Sequence, residues 1–347
     1  MSILVINSGS TSIKYKLFSD DDVEIKQGVL EGVTNHQIAL KQVLREVGSL
    51  MDLRAVGHRV VHGGDKFIRP VVITDKILSE IEKFNHLAPL HNPYNLAAVR
   101  AIKEYLPEIT QIAVFDTAFF AVLPKCARVY ALPQELSEKY EIKRFGFHGT
   151  SHKYVMLEAA KILKKAANRI NLITCHLGGG WSITATQAGK PIDTSMGWTP
   201  LEGLIMMTRS GDLDPSIVLE LVKNSQGETA EDKCRQVYNF LNCEAGIKGL
   251  SGVSNYKQLL RQVSLGDENA RLAFELATYR LIKYIGSYFA VLGGKVDAVV
   301  FTGAVGSGDP MTRNRVIDRL KFLKNTKFLA IPTDEELMIA REVKELI

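Results

Sequence analysis

Ile3 to Ile6 form a short apolar run that breaks into Asn7, Ser8, Gly9, Ser10, Thr11 and Ser12, then resumes as the alternating Ile13, Lys14, Tyr15, Lys16, Leu17, Phe18. An apolar run and an alternating run joined through glycine and hydroxyl residues predict a β-hairpin. An ordinary hairpin tip needs only about two turn residues. This one gathers an amide, hydroxyls and a lysine around Gly9, a set able to wrap phosphate oxygens through N–H, hydroxyl and ammonium donors; a Ser-rich solvated turn would leave the same pattern.

Further along, the polar and mixed stretch from Asp20 to Leu53 predicts one more strand and a helix over 35–50. LRAVGHRVVHGG (53–64) reads as a strand running into a Gly turn. A helix is expected over 76–84, a loop over 86–93, a helix over 94–105, and a strand in 109–120 that ends at Asp116. A second series starts near 149 with a helix over 151–166. NLITCHLGGGWSITAT (171–186) then repeats the design of apolar run, Gly-rich tip and alternating run. Helices follow at 214–224, 229–241, 254–264 and 267–292. Residues 296–310 read as a buried strand, a Gly loop and a helix, and the chain closes with a strand, an Asp-capped turn and a helix. The repeated strand, polar tip and strand suggest two related α/β halves.

The chain has 347 residues, room for about two domains and a substantial core. Its composition, 46% hydrophobic and 23% charged, is that of an ordinary soluble globular protein. A net charge of +5 carried by scattered basic residues argues against nucleic acid as a partner. Cys126, Cys175, Cys234 and Cys243 have no CxxC spacing and are expected as reduced, buried thiols. The opening apolar run is too short for a signal peptide, and no stretch approaches the ~20 apolar residues of a membrane span, so a cytoplasmic location is expected.

Seven of the eight histidines fall in or beside Gly-rich blocks: His58, His62, His86, His91, His148, His152 and His176. Some pairs have metal-ligand spacing, but HEXXH is absent and the intervening residues read as strand and turn. Gly178–Gly180, Gly303–Gly308 and the tip at Gly9 each follow an apolar strand. Glycines are often only turns; three such loops in one chain look like backbone surfaces approaching a polyphosphate. There is no GxxxxGK[ST], which excludes a P-loop. Arg59, in GHRVVHGG, and Arg209, in MMTRSGDLDP, are either surface ion-pair residues or the cations that phosphoryl transfer to an anion requires. Asp116 is a candidate Mg²⁺ or acid–base group, and Glu335 and Glu336 are either that or caps of the last helix.

Taken in order, NSGSTSIKYKLF, GHRVVHGG, APLHNP, FDTAF, RFGFHGTSH, HLGGGWSI, DTSMGWTPLEGLIMMTRSGDLDP, FTGAVG and IPTDEELMIARE resemble the acetate and propionate kinases over nearly the whole chain. The resemblance implies the acetate/sugar kinase/actin fold, an α/β architecture of two duplicated ribonuclease-H-like domains around a cleft. It implies residues 1–118 completed by the helix 336–347 as the acyl and phosphate domain, and 119–335 as the nucleotide domain. It implies acetate, ATP/ADP and Mg²⁺, and a homodimer, with no nucleic acid and no membrane. Asn7, Ser10, Ser12 and Lys14 would form the first phosphate loop, with Asn7 and Glu335 at the metal. His176, Gly178 and Gly180 would form the second phosphate loop, and Gly303 and Gly306 the adenosine loop. Arg59 and Arg209 would bracket carboxylate and phosphoryl group, His148 would steady the charge in transfer, and Asp116 would serve the metal region. Val61, Leu90, His91, Phe147 and Pro200 would bind the carboxylate substrate.

The sequence departs from the family pattern on the nucleotide side. The usual adenosine-loop ending Gly-Glu-Asn is Gly306, Ser307, Gly308; an Asp-x-Arg is Asn255, Tyr256, Lys257; an Asn of the second phosphate loop is Gly179, followed by bulky Trp181. The chain is also short between the first hairpin and Arg59. The residues leave open acetate or propionate as acceptor, pyrophosphate in place of ATP, and a nucleotide-binding homologue of weak activity.

Overall fold

A computed structural model describes all 347 residues, which divide into two compact units. The first comprises Met1–Ala121, Phe147–Tyr154 and Asp334–Ile347, the second Val122–Gly146 and Val155–Thr333. No helix is long and apolar enough to cross a membrane.

The first unit holds β1 (Ser2–Ser8), β2 (Ser12–Ser19), β3 (Glu24–Glu31), α1 (His36–Val47), β4 (Leu53–Val60), β5 (Val71–Val72), α2 (Asp75–Glu82), α3 (Asn92–Tyr105) and β6 (Thr110–Phe115). Its sheet runs in the order β3-β2-β1-β4-β6-β5. The hairpin pairs β1 and β2 antiparallel with Asn7 opposite Lys14, while β4 lies parallel to β1 and β6 parallel to β4. The uninterrupted apolar run of β1 follows from burial on both faces. Leu4 and Ile6 join a cluster with Leu40 and Val43 of α1 and Ala98 and Ile102 of α3. Ile3 and Val5 turn the other way, onto Ile339, Ala340 and Val343 of the C-terminal helix. A Cβ on Gly57 would lie 2.8 Å from Val343, so the glycine lets that helix approach β4.

The second unit contains α4 (Lys125–Arg128), α5 (Gln134–Lys139), most of α6 (Gly149–Ile162), β7 (Leu172–Leu177), β8 (Trp181–Gln187), β9 (Lys190–Thr194), α7 (Pro215–Asn224), α8 (Ala230–Cys243), α9 (Gly246–Ser251), α10 (Tyr256–Ser264), α11 (Glu268–Val291), β10 (Ala298–Thr302), α12 (Gly303–Gly308), α13 (Pro310–Ile317) and β11 (Lys327–Ala330). Its sheet order is β9-β8-β7-β10-β11, with β7-β8 and β8-β9 antiparallel and β10 parallel to both β7 and β11. An antiparallel three-strand meander extended by two parallel strands therefore occurs twice. The duplication seen in the sequence is a duplication of topology, with β5 an added edge strand in the first copy. The last helix, α14 (Glu335–Lys344), returns to the first unit.

Several expectations are corrected. Phe147–Tyr154 and Asp334–Glu335 belong to the first unit rather than to a domain spanning 119–335. Gly149 N–H donates to Asp116 O at 3.0 Å and His152 lies edge-on to Phe120, which ties the start of α6 to the end of β6. Residues 303–308 form a helical turn, not a loop. Asp334, not Glu335 or Glu336, caps α14, accepting from Leu337 N at 2.9 Å. Of the cysteines only Cys175, inside β7, is buried; Cys126 is exposed on α4, which buries no residue, and Cys234 and Cys243 are exposed on α8, whose packed face uses Val237 and Leu241.

His58 of β4 is 1% exposed, with Nε2 2.8 Å from Gln111 Oε1, and its Nδ1 has no partner. Burial pushes its pKa from 6.5 down to about 4, against a smaller opposing effect of the Gln111 hydrogen bond. The folded state thus holds fewer protons than the unfolded state in this window. Stability should be fully present above about pH 6.5 and be lost as pH falls toward 4, by up to ~3 kcal/mol. His58→Gln removes the titration. Its denaturation midpoint should depend less steeply on pH between 6.5 and 4, and an unchanged slope would refute the assignment.

Candidate functional site

In the first unit the candidate residues converge at the C-terminal ends of β1, β4 and β6, where open α/β sheets place ligands. Arg59, on β4, donates from Nε to both Asp116 carboxylate oxygens at 3.1 and 3.0 Å and from Nη2 to Oδ2 at 2.5 Å. Its Nη1 donates to Asn7 Oδ1 at 3.2 Å, and Asn7 Nδ2 donates in turn to Glu336 Oε1 at 3.3 Å. Asp116 is 1% exposed and also accepts from Thr150 Oγ1 at 3.2 Å. Burial alone would lower the Arg59 pKa; the charges of Asp116 and Glu335 outweigh it and hold the guanidinium firmly protonated. Glu335 responds oppositely. Burial, reinforced by Asp116 and Glu336 and partly offset by Arg59 and Lys14, pushes its pKa up to about 7.

The hairpin tip is shaped by Gly9 N–H donating to Ser12 O at 2.8 Å and by the His36 ring 2.9 Å from Gly9 O. Ser10 is exposed on the tip, and Lys14 is exposed on β2 directly across from Asn7. Val61 is buried; its N–H donates to Asn95 Oδ1 at 3.1 Å, while His62 N–H donates to Asn92 Oδ1 at 3.0 Å. His91 is the N-cap residue of α3 and follows half-buried Leu90. Phe147, 1% exposed, meets the His62 ring edge-on at 5.5 Å. His148 follows in the left-handed region at φ 58°, and so presents its side chain from a bend that few non-glycine residues adopt.

In the second unit the glycine segments come together because β7 and β10 are neighbours, with His176 opposite Thr302. His176 sits near the end of β7 rather than in the loop after it. Gly178 N–H donates to Gly180 O at 3.1 Å, and Trp181 Nε1 closes onto Gly178 O at 3.0 Å. The Trp181 ring is fully buried and packs 5.7 Å from Tyr256, so both unusual residues at these positions fill one core. Asn255 caps α10 through Lys257 and Gln258 N–H, as an aspartate would. Gly303 has φ 78°, and Gly306 lies against Cys175 O. Ser307 turns back to donate to Gly303 O at 2.8 Å. Arg209 is half-buried, and burial lowers its pKa; Nη1 donates to Pro200 O at 3.5 Å, which places those two residues side by side. The segment carrying Arg209 is stitched to the start of α9 by Ala245 N–H to Thr208 O and Ile247 N–H to Met206 O.

Thr150, Asn92 and Asn95 were missed as contributors. The asparagines carry a signal, two amides at helical spacing in HNPYN that end up buried. Thr150 carries none beyond its place in HGTSH.

The oxygen donors near Arg59 suit a hard divalent cation. No group of three or more His, Cys, Asp or Glu forms a cage, but Mg²⁺ typically needs only one or two carboxylates and completes its shell with water and phosphate. The crowding of Glu335 by Asp116 and Glu336 is what such a cation would relieve.

Two sheets of repeated topology, glycine turns at the strand ends and a half-buried arginine held by Asp116 are features of a phosphotransferase-type architecture. Solved structures agree. The chain superposes on Porphyromonas gingivalis acetate kinase with TM-score 0.91 at 35% identity, covering 99% of each chain. It superposes on a Francisella tularensis propionate kinase with TM-score 0.91 at 37% identity, covering 100% of each. The Carboxydothermus hydrogenoformans acetate kinase is 40% identical over 401 aligned positions, covering 100% of this chain and 99% of that protein. The acetokinase family model matches residues 26–325. The chain belongs to the acetokinase family and is a phosphotransferase with a carboxyl group as acceptor.

A Cβ on Gly303 would lie 2.6 Å from Leu177 O and demand φ 78° of an L-residue. Gly303→Ala should cost at least ~2 kcal/mol. Gly308, with open space around its Cβ, should accept alanine within ~1 kcal/mol. Comparing the two thermal midpoints checks this, and equal shifts would contradict it.

Proposed function

We propose that the protein transfers the γ-phosphoryl group of ATP reversibly to acetate, giving acetyl phosphate and ADP. The observation that carries this reading is the Arg59 guanidinium, held in the first unit by Asp116 and Asn7 at the strand ends. Nε and one Nη2 hydrogen are spent on Asp116 and one Nη1 hydrogen on Asn7, which leaves the second hydrogen of each outer nitrogen to hold a carboxylate. A carboxylate oxygen attacks phosphorus while the bond to the ADP oxygen breaks, so no proton need move. The task is to position two anions and offset their repulsion. In the first unit Arg59 carries out this task for the acceptor, beside Val61, Leu90, His91 and Phe147, and His148 steadies charge that develops in transfer; in the second unit Arg209, beside Pro200, is the cation for the phosphoryl group. Asn7, Ser10, Ser12 and Lys14 present donors to phosphate, and His176, Gly178, Gly180, Gly303 and Gly306 present backbone and ring to the nucleotide. Asn7 and Glu335 would hold Mg²⁺, which when bound neutralises phosphate charge. Exposed Leu272 and Tyr279 of α11, 55% and 60% accessible, support self-association as a homodimer.

Hydroxamate trapping of the acyl phosphate tests the reading. Arg59→Ala and Arg209→Ala should each lower kcat by roughly 100-fold or more. Lysine should rescue little, because a point charge lacks the bidentate fork. Near-normal turnover in both folded alanine variants would refute the assignment. Running the same assay with pyrophosphate in place of ATP identifies the donor.

Equal structural similarity to an acetate kinase and a propionate kinase keeps the longer acceptor in view. Val61, β-branched and next but one to Arg59, is 5% exposed and pinned through its N–H to Asn95. It narrows the space for an acyl tail, so acetate should be preferred over propionate by roughly 10- to 200-fold, the worth of one methylene. Val61→Ala should raise kcat/KM for propionate relative to acetate. An unchanged ratio in a destabilised variant would make Val61 a core residue only.

A further inference from the structure

We propose that Thr150 is a positioning residue for the carboxylate-binding arginine: its hydroxyl fixes the Asp116 carboxylate, and Asp116 fixes the plane of the Arg59 guanidinium. This rests on the carboxylate kinase reading above.

The hydrogen bonds to Asp116 show where the constraint lies. Its two oxygens take Nε and Nη2 of Arg59 and, on Oδ1, the Thr150 hydroxyl at 3.2 Å; that hydroxyl is the one side-chain donor to the carboxylate other than Arg59. Thr150 is 3% exposed and Asp116 1%, so both lie where an unmatched acceptor is costly. The backbone is built to deliver this contact. Gly149 N–H donates to Asp116 O at 3.0 Å, and a Cβ on Gly149 would lie 2.1 Å from that same oxygen. Only glycine lets α6 begin hard against the strand end, which sets the next residue, Thr150, beside the carboxylate.

From that flank Thr150 alone hydrogen-bonds the carboxylate. Beyond Thr150 opens a cavity of about 440 Å³ lined by Ile68, Phe115, Phe119, Lys153 and Glu342 among others. The Lys153 ammonium is committed to Glu342 at 2.5 Å. When the remaining N–H groups of Nη1 and Nη2 hold a substrate carboxylate, Asp116 keeps two anchors, the Nε and Nη2 fork of Arg59 and the Thr150 hydroxyl. Losing the second anchor frees the aspartate, and with it the arginine, to rotate.

Thr150→Val removes the donor at nearly constant shape, and Thr150→Ser keeps it. With wild-type turnover of acetate established in the same assay, Thr150→Val should raise KM for acetate about tenfold and lower kcat severalfold, while KM for ATP stays within about twofold. Thr150→Ser should restore KM for acetate to within about threefold of wild type. A second measurement needs no activity and so stands apart from the functional reading. In a double-mutant cycle read by denaturation midpoint, the shift caused by Thr150→Val should shrink or vanish in an Asp116→Asn background. Thr150→Ala replaces Thr150→Val in both measurements if the valine variant does not fold. Unchanged acetate KM, equal changes in both KM values, no rescue by serine, or an additive cycle would overturn the proposal.

Discussion

The ion pair between Arg59 and Asp116 organises the first unit from its strand ends. Asp116 joins three elements at once. Its N–H donates to Val60 O across the β4–β6 ladder, its C=O accepts from Gly149 at the start of α6, and its carboxylate holds Arg59 of β4. Asp116 is 1% exposed, and a charge at that depth persists only when matched; removing one partner of such a pair typically costs ~3–5 kcal/mol. The pair therefore contributes little to net stability yet strongly specifies where the strand ends and α6 lie. It also means that Arg59 is oriented before any substrate arrives, which lowers the cost of ordering it in a reaction.

Around this pair the charges do not balance. Glu335 and Glu336 open the last helix, capped by Asp334, and bring negative charge toward Asp116 with only Arg59 and Lys14 to answer it. The raised pKa of Glu335 is the consequence. The arrangement makes sense as half of a site whose other charges come with its ligands: a cation suits the carboxylates, and the carboxylate of an acceptor suits the outer nitrogens of Arg59. The second unit is organised differently. There the neighbouring strands β7 and β10 bring backbone rather than charge together, through Gly178, Gly180, Gly303 and Gly306.

The sheets were legible in the sequence because their patterns are forced by burial. A strand covered on both faces, such as Ile3–Ile6, must be apolar throughout, and its hairpin partner must alternate. The repeat of that pattern at 171–186 announced the duplication, and the ordered motifs announced the family. What the pattern concealed was membership. Phe147–Tyr154 lies in the middle of the chain and joins the first unit, because a glycine at position 149 permits one close backbone approach. No periodicity encodes such an event. The exposed cysteines were misread for a related reason: residue type records average burial, while the face of a helix is set by what packs on it.

The departures on the nucleotide side show how far local substitution can be absorbed. Trp181, bulky after the glycine turn, faces inward, hydrogen-bonds Gly178 O and packs at a tilt against Tyr256, itself one of the unusual residues. Asn255 keeps the capping role that an aspartate would have. These changes repack a core and leave the turn's backbone in place. Ser307 and Gly308 differ in kind. The serine hydroxyl is spent on Gly303 O, and Gly308 has no side chain, so these two positions of the turn present backbone rather than side chains. Main-chain N–H groups in a turn recognise phosphate charge well and a particular base poorly. About Arg59, in contrast, side chains are fixed: Asp116 and Asn7 hold the guanidinium, and Asn95 holds the Val61 N–H. The first unit thus presents fixed side chains at its strand ends, where the second presents backbone.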